Sequence, residues 1–242
     1  MATILRDSVA GFVLAGGHSS RMGSDKALAL FGGVPLVTRA LQTLLEAGIR
    51  ARIAGSRSEL STFAEVIPDT FSKSGPMGGV HAGLVASKAE WNLFLPVDVP
   101  LMPASLLACL TLRASITGAL VITCRLNGRI EPFPVVLHHS VLPQIAMRLD
   151  SGESSCHNAW RSIPKELGTQ LDAVGVENLV QCGQCRHPAG SPAVFWFQSA
   201  NTPTELANLH RISMKHCVSA CAPDYGTSQT LTDAGFSSNL KA

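Results

Sequence analysis

Two cations, Arg21 and Lys26, follow a glycine pair, Gly16-Gly17, which itself closes the apolar run Val9-Ala-Gly-Phe-Val-Leu14. Small or polar residues fill the gap. Glycines at that point let the chain turn and let backbone N–H groups approach an anion with no Cβ in the way. A lysine and an arginine on the same loop add the positive charge that a triphosphate needs. The residues Leu14, Ala15, Gly16, Gly17, Arg21 and Lys26 therefore read as a phosphate grip. It is neither of two familiar ones. The Walker loop needs Gly-Lys followed by Ser or Thr, and the chain contains no Gly-Lys pair. The dinucleotide fingerprint opens a helix directly from a third glycine, whereas here the loop runs on to Lys26.

Phosphoryl and nucleotidyl transfer also call for a divalent cation, and Mg²⁺ favours one or two carboxylates completed by phosphate oxygens. Asp98, in Pro96-Val-Asp-Val-Pro100, stands at the carboxyl end of a buried apolar stretch. Ligand sites of open α/β sheets gather at that edge, so Asp98 is the expected metal carboxylate. Asp69 follows the short run Glu65-Val-Ile67 and opens a polar loop. The run Gly75-Pro-Met-Gly-Gly79 reads as a glycine loop, with Gly78 at its exit into a helix, where main-chain groups could meet a flat base. No Ser–His or His–carboxylate constellation offers a nucleophile or a general base.

The string Leu14-Ala-Gly-Gly-x-Ser-x-Arg-Met-Gly-x-Asp-Lys-Ala27, with Gly33-Val-Pro-Leu36, closely resembles the opening of the molybdenum cofactor guanylyltransferases. These form a branch of the wider group of sugar-nucleotide-type nucleotidyltransferases. The resemblance continues at Ile67-Pro-Asp69, Gly75-Pro-Met-Gly78, Pro96-Val-Asp-Val-Pro100 and Asn201-Thr-Pro-Thr-Glu-Leu206, and so spans residues 8–212. It implies transfer of GMP from GTP to the terminal phosphate of molybdopterin, with pyrophosphate leaving. It also implies Mg²⁺ on Asp98, nucleotide contacts from Asp69, guanine near the Gly78 loop, and molybdoenzyme maturation proteins as further partners. An attacking phosphate is already an anion, which agrees with the missing general base. One position departs from the pattern: where the family often carries an asparagine, this chain has Ala54. A cytidylyltransferase acting with CTP, a sugar-phosphate or isoprenoid-precursor nucleotidyltransferase, and a non-catalytic nucleotide-binding module are the competing readings.

The elements that must position these residues alternate strand and helix, the mark of a Rossmann-like three-layer α/β/α fold with a mainly parallel sheet. Strands are expected at Val9 to Leu14, Ile49 to Ala54, Trp91 to Leu95 and Ala193 to Gln198. Helices are expected from Pro35 to Gly48, from Gly78 to Lys88, from Pro103 to Leu112 and over residues 138–161 with a break near Asp150. Asn127-Gly128 signals a hairpin between two strands, which makes the sheet mixed. Thr202-Pro-Thr-Glu205 carries a capping box before a last helix. The expected organisation is a nucleotidyltransferase domain over residues 1–212 and a poorly ordered tail over residues 213–242.

The chain has 242 residues, 46% of them apolar and 15% charged, with a net charge of +2. Such a balance gives no electrostatic drive toward nucleic acid. No apolar run has membrane-spanning length and the first residues lack a signal-peptide pattern, so a cytoplasmic location with no membrane partner is expected. Seven cysteines are expected as reduced thiols. Cys182-Gly-Gln-Cys185 with His187, together with Cys217 and Cys221, lacks the regular spacing of a zinc ribbon. Arg125, Arg129, Arg148 and Arg161 are the cations available to a phosphorylated pterin.

Overall fold

A computed structural model describes residues 8–16, 25–71 and 74–220, with side chains to position 215. Seven of its strands form one sheet: β1 (Val9–Leu14), β4 (Ala51–Ala54), β5 (Val66–Ile67), β6 (Trp91–Pro96), β7 (Val121–Leu126), β8 (Arg129–His138) and β9 (Asp172–Gly175). Their order is β5-β4-β1-β6-β8-β7-β9. Only β8 runs antiparallel to its neighbours. Two short strands, β2 (Leu30–Phe31) and β3 (Val34–Pro35), form a separate hairpin. The mixed, mainly parallel sheet is the one the sequence predicts. Asn127 and Gly128 take φ values of 49° and 74°, as a tight hairpin turn requires.

Both faces of this sheet are covered, which is why β1 reads as an unbroken apolar run and β6 as one broken only by the buried Asn92. The alternation hidden in those runs is strict. Val13, Leu93 and Leu95 point into a core shared with helices α1 (Leu36–Glu46) and α3 (Ala104–Thr117). Phe12, Leu14 and Phe94 point the other way, into a core shared with α2 (Gly75–Ala86), α4 (Leu142–Asp150) and α5 (Cys156–Glu166). Trp160 and Trp196 are fully buried, and each indole N–H is satisfied by a backbone carbonyl, of Pro132 and Ser191 respectively. A short helix α6 (Val176–Gln181) follows β9, and α7 (Pro203–Ala220) ends the described chain.

Helix α2 lies close to the sheet because its inward positions are small. A Cβ on Gly83 would stand 2.7 Å from the Phe94 ring and 3.1 Å from the Phe12 ring. Those two rings are stacked with centroids 5.1 Å apart, so neither can yield. Gly83→Ala should therefore lower stability by about 1–2 kcal/mol, the overpacking cost outweighing the better helix propensity of alanine. Chemical denaturation of the two proteins checks this; equal midpoints would show that the helix shifts freely.

The elements depart from the sequence reading in several places, among them the β2–β3 hairpin, which takes Pro35 out of the expected helix, and α3, which runs past Leu112 to Thr117. Residues 193–198 were expected as a strand but begin with a 3₁₀ turn, Ala193–Phe195, because Pro192 precedes it and Trp196 turns inward to reach Ser191. Strand β9 and helix α6 carry no sequence signal that was read. The helix expected from Gly78 starts at Gly75, with Pro76 in its first turn and Met77, Val80 and Leu84 buried. The last helix passes position 213 and continues to Ala220, while residues 221–242 lie outside the described residues.

Candidate active site

Strand β1 is the point where the sheet reverses its order: the chain goes from β1 to β4 and β5 on one side, then returns to place β6 on the other. A crevice opens beyond the carboxyl ends of strands at such a reversal. Here the crevice is a cleft, partly open to solvent, lined among others by Leu14, Gly16, Lys26, Asp69, Gly79 and Asp98. Its floor is fixed by backbone bonds. Ala15 N–H donates to Ala54 O at 3.1 Å, and Val97 N–H donates to Leu14 O at 3.1 Å.

Asp98 follows β6 by two residues, and its own carbonyl accepts from Ala200 N–H at 2.8 Å. That bond brings the segment before α7 against the end of β6. Lys26 lines the same cleft. It begins a 3₁₀ turn, Lys26–Leu28, capped by Asp25 Oδ1, which accepts from Ala27 N–H at 2.9 Å. The Lys26 ammonium donates to Asp98 Oδ2 at 2.5 Å and to Asn201 Oδ1 at 2.6 Å. The Lys26 and Asp98 side chains are only 17% and 16% exposed, so this pair is held largely out of water. The two residues lie 72 positions apart in sequence, and the fold brings them together as the sequence predicts.

Asp69 lines the cleft as well. Its Oδ1 accepts from Phe71 N–H at 2.8 Å. The carboxylate also lies against α2 so closely that a Cβ on Gly78 would stand 2.3 Å from Oδ2, so any larger residue there would push the carboxylate aside. Burial pushes the Asp69 pKa above the ordinary carboxylate value, and burial likewise lowers the pKa of neighbouring His81. The glycine run is thus not a loop leading into a helix but the first turn of α2, whose Gly75 and Gly79 face the cleft. The first turn of a helix leaves N–H groups without intrahelical partners, and here that turn borders the cleft.

Of the residues singled out in the sequence, Leu14, Gly16, Lys26, Asp69 and Asp98 line this one cleft. Ala15 supports its floor and Gly78 stands behind Asp69. Gly17 and Arg21 lie outside the described residues. Arg148 leaves the group of cations available to a pterin phosphate: it is 7% exposed, paired with Glu166 and bonded to Ser162 Oγ at 2.7 Å, and so clamps α4 to α5. Among the cysteines, Cys182 is exposed, whereas Cys185 is buried with its Sγ 3.3 Å from that of Cys109. Cys221 and the side chain of Cys217 lie outside the described residues.

Asn201 is the residue that sequence reasoning passed over. It stands in the Asn-Thr-Pro block just before the capping box, and Glu205 Oε2 accepts its N–H at 2.7 Å. The box itself is complete, with Thr202 Oγ1 accepting from Glu205 N–H at 3.2 Å. A polar residue pinned immediately ahead of such a box is the signal that could have found it.

The family described as "MobA-like NTP transferase domain" matches residues 11–167 of this chain. A molybdenum cofactor guanylyltransferase of Serratia proteamaculans is 30% identical over 188 residues, which cover 74% of this chain and 87% of that protein. One of Aliivibrio fischeri is 33% identical over 145 residues, 58% of this chain and 74% of the other. The crystal structure of molybdopterin-guanine dinucleotide biosynthesis protein A from Archaeoglobus fulgidus superposes with a TM-score of 0.67, at 21% identity, over 85% of this chain and 99% of that one. The cleft, the fold and the sequence agree: this chain belongs to the MobA-like NTP transferase family and is a nucleotidyltransferase.

Proposed function

We propose that the chain transfers GMP from GTP to the terminal phosphate of molybdopterin, releases pyrophosphate, and forms the guanine dinucleotide of the cofactor. The observation that carries this reading is the meeting of the Lys26 ammonium and the Asp98 carboxylate in a cleft that begins at the end of β1. The names of the Serratia and Aliivibrio relatives support the choice of substrates.

Among the described residues no three His, Cys, Asp or Glu side chains gather as a metal centre. Asp98 offers one carboxylate in the cleft, which fits Mg²⁺ bound mainly through the substrate's own phosphate oxygens. Bound there, the ion would neutralise phosphate charge as pyrophosphate departs. The chain's residues do the rest. Lys26 meets the charge of the triphosphate, with Arg21 assigned the same part from the sequence. The glycine turn after β1 gives the phosphates backbone N–H groups. The α2 start and Asp69 hold the nucleoside. Ala54 lines the cleft but brings no polar side-chain atom, so it offers the base no side-chain hydrogen bond. The attacking phosphate needs no base, and catalysis consists of positioning and charge neutralisation.

The test is pyrophosphate release with each nucleoside triphosphate, with and without molybdopterin. Release with GTP that depends on the pterin is the expected result. Preference for CTP would reassign the base and keep the chemistry. Tight GTP binding with no release under any condition would leave a nucleotide-binding module instead.

A further inference from the structure

Asp25 is used at both of its oxygens. Oδ1 caps the turn that starts at Lys26. Oδ2 is paired with Arg57 Nη2. Arg57 stands two residues beyond Gly55, on the segment that leaves β4, and its own Nε donates to Glu59 Oε1 at 2.6 Å. Its backbone is anchored as well: its carbonyl accepts from the N–H of Leu60, which is fully buried. The Arg57 and Asp25 side chains are 17% and 14% exposed. Arg57 does not line the cleft.

We propose that Arg57 is a positioning residue: through Asp25 it fixes the turn that aims the Lys26 ammonium at Asp98 and Asn201. The proposal rests on the nucleotidyl-transfer reading above. A lysine carries its charge on a flexible four-carbon stem, so the place of Nζ is only as definite as the backbone that carries it. One capping bond fixes the turn but leaves the Asp25 carboxylate free to swing about it. The guanidinium removes that freedom by holding the second oxygen from the segment that leaves β4, whose Gly55 lines the cleft. Two segments are thereby tied together: the Lys26 turn and the β4 exit. Separating a pair so far removed from water leaves an uncompensated charge, which disturbs the turn rather than merely loosening it.

A direct role of Arg57 on the triphosphate would predict something different, and a double-mutant cycle separates the two. If Arg57 acts through Lys26, then Arg57→Ala costs about tenfold in kcat for pyrophosphate release, a modest share of what misplacement of a catalytic group can cost. Asp25→Asn keeps the capping oxygen but turns an amide N–H₂ toward the guanidinium, so it should show the same loss, with no further loss in the double variant. Arg57→Lys, which can still reach one Asp25 oxygen, should recover part of the rate. In the Lys26→Ala background, Arg57→Ala should cost nothing more. A second readout needs no turnover: acylation of Lys26 by an amine-directed reagent, followed by mass spectrometry, should be faster in Arg57→Ala than in the parent, at equal melting temperature.

Wild-type rates in Arg57→Ala with unchanged Lys26 acylation would overturn the proposal. So would an Arg57→Ala loss that is just as large without Lys26. A parent protein that releases no pyrophosphate from any triphosphate would overturn the functional reading instead, and the acylation rates would still decide the part of Arg57.

Discussion

Asp98→Ala is expected to lower the rate of pyrophosphate release by about two orders of magnitude or more, the usual consequence of removing the carboxylate that would hold the charge-neutralising cation. The substitution should leave the fold in place. What ties residue 98 to the segment before α7 is its carbonyl, which keeps the Ala200 N–H whatever the side chain. The Lys26 ammonium keeps Asn201 Oδ1 as a partner at 2.6 Å. Asp98→Asn sharpens the result. An amide there preserves shape and can still accept from Lys26, but it brings no negative charge to a cation. If the carboxylate serves as a metal ligand, Asn should be nearly as slow as Ala, and excess Mg²⁺ should not restore the rate. If Asp98 serves only to hold Lys26, Asn should be nearly as fast as the parent. Steady-state rates of the three proteins at saturating GTP and Mg²⁺ decide the matter.

That Lys26 and Asp98 share one cleft was legible in the sequence because Asp98 closely follows the end of β6 and Lys26 follows β1 and its glycine pair along the chain. Strand ends carry a signal: β1 is apolar to its last residue with a glycine pair two positions on, and β6 closes on Pro96. The capping box at Thr202 and the Asn127-Gly128 turn were legible for a similar reason, since each is specified by a few adjacent residues. Strand β9 was not, because Asp172–Gly175 is too short to show a period and pairs only at the sheet edge. Asn201 and Arg57 were hidden more deeply. Asn201 meets Lys26 across 175 positions, and Arg57 meets Asp25 across 32. A polar residue in a loop acquires its meaning from what the fold sets opposite it, and no local pattern records that. The start of α2 was misplaced because glycine usually ends a helix. Here the buried Met77, Val80 and Leu84 supply the helical period, and close packing on Phe12, Phe94 and Asp69 demands the small residues.

Lys26→Ala should slow release by a similar factor, about two orders of magnitude, for a reason distinct from the loss at Asp98. The ammonium is the described cation in the cleft, held at 2.5 Å from one oxygen and 2.6 Å from another on two different elements. Removing it deprives the departing pyrophosphate of a point charge that is already oriented before the reaction begins, so kcat should fall more than the apparent affinity for GTP. It also strands the Asp98 carboxylate, 16% exposed, beside Asn201 with no cation. At high Mg²⁺ that carboxylate is freer to take up the metal, so the variant should need less Mg²⁺ for half-maximal rate than the parent, even though its maximal rate is far lower. Lys26→Arg supplies charge in the wrong shape: a planar fork matches a carboxylate but cannot put one compact centre between Asp98 and Asn201. Its rate should stay within roughly tenfold of the alanine variant. A full recovery with arginine, or a Mg²⁺ requirement that rises when Lys26 is removed, would show that the ammonium does not compete with the metal for Asp98.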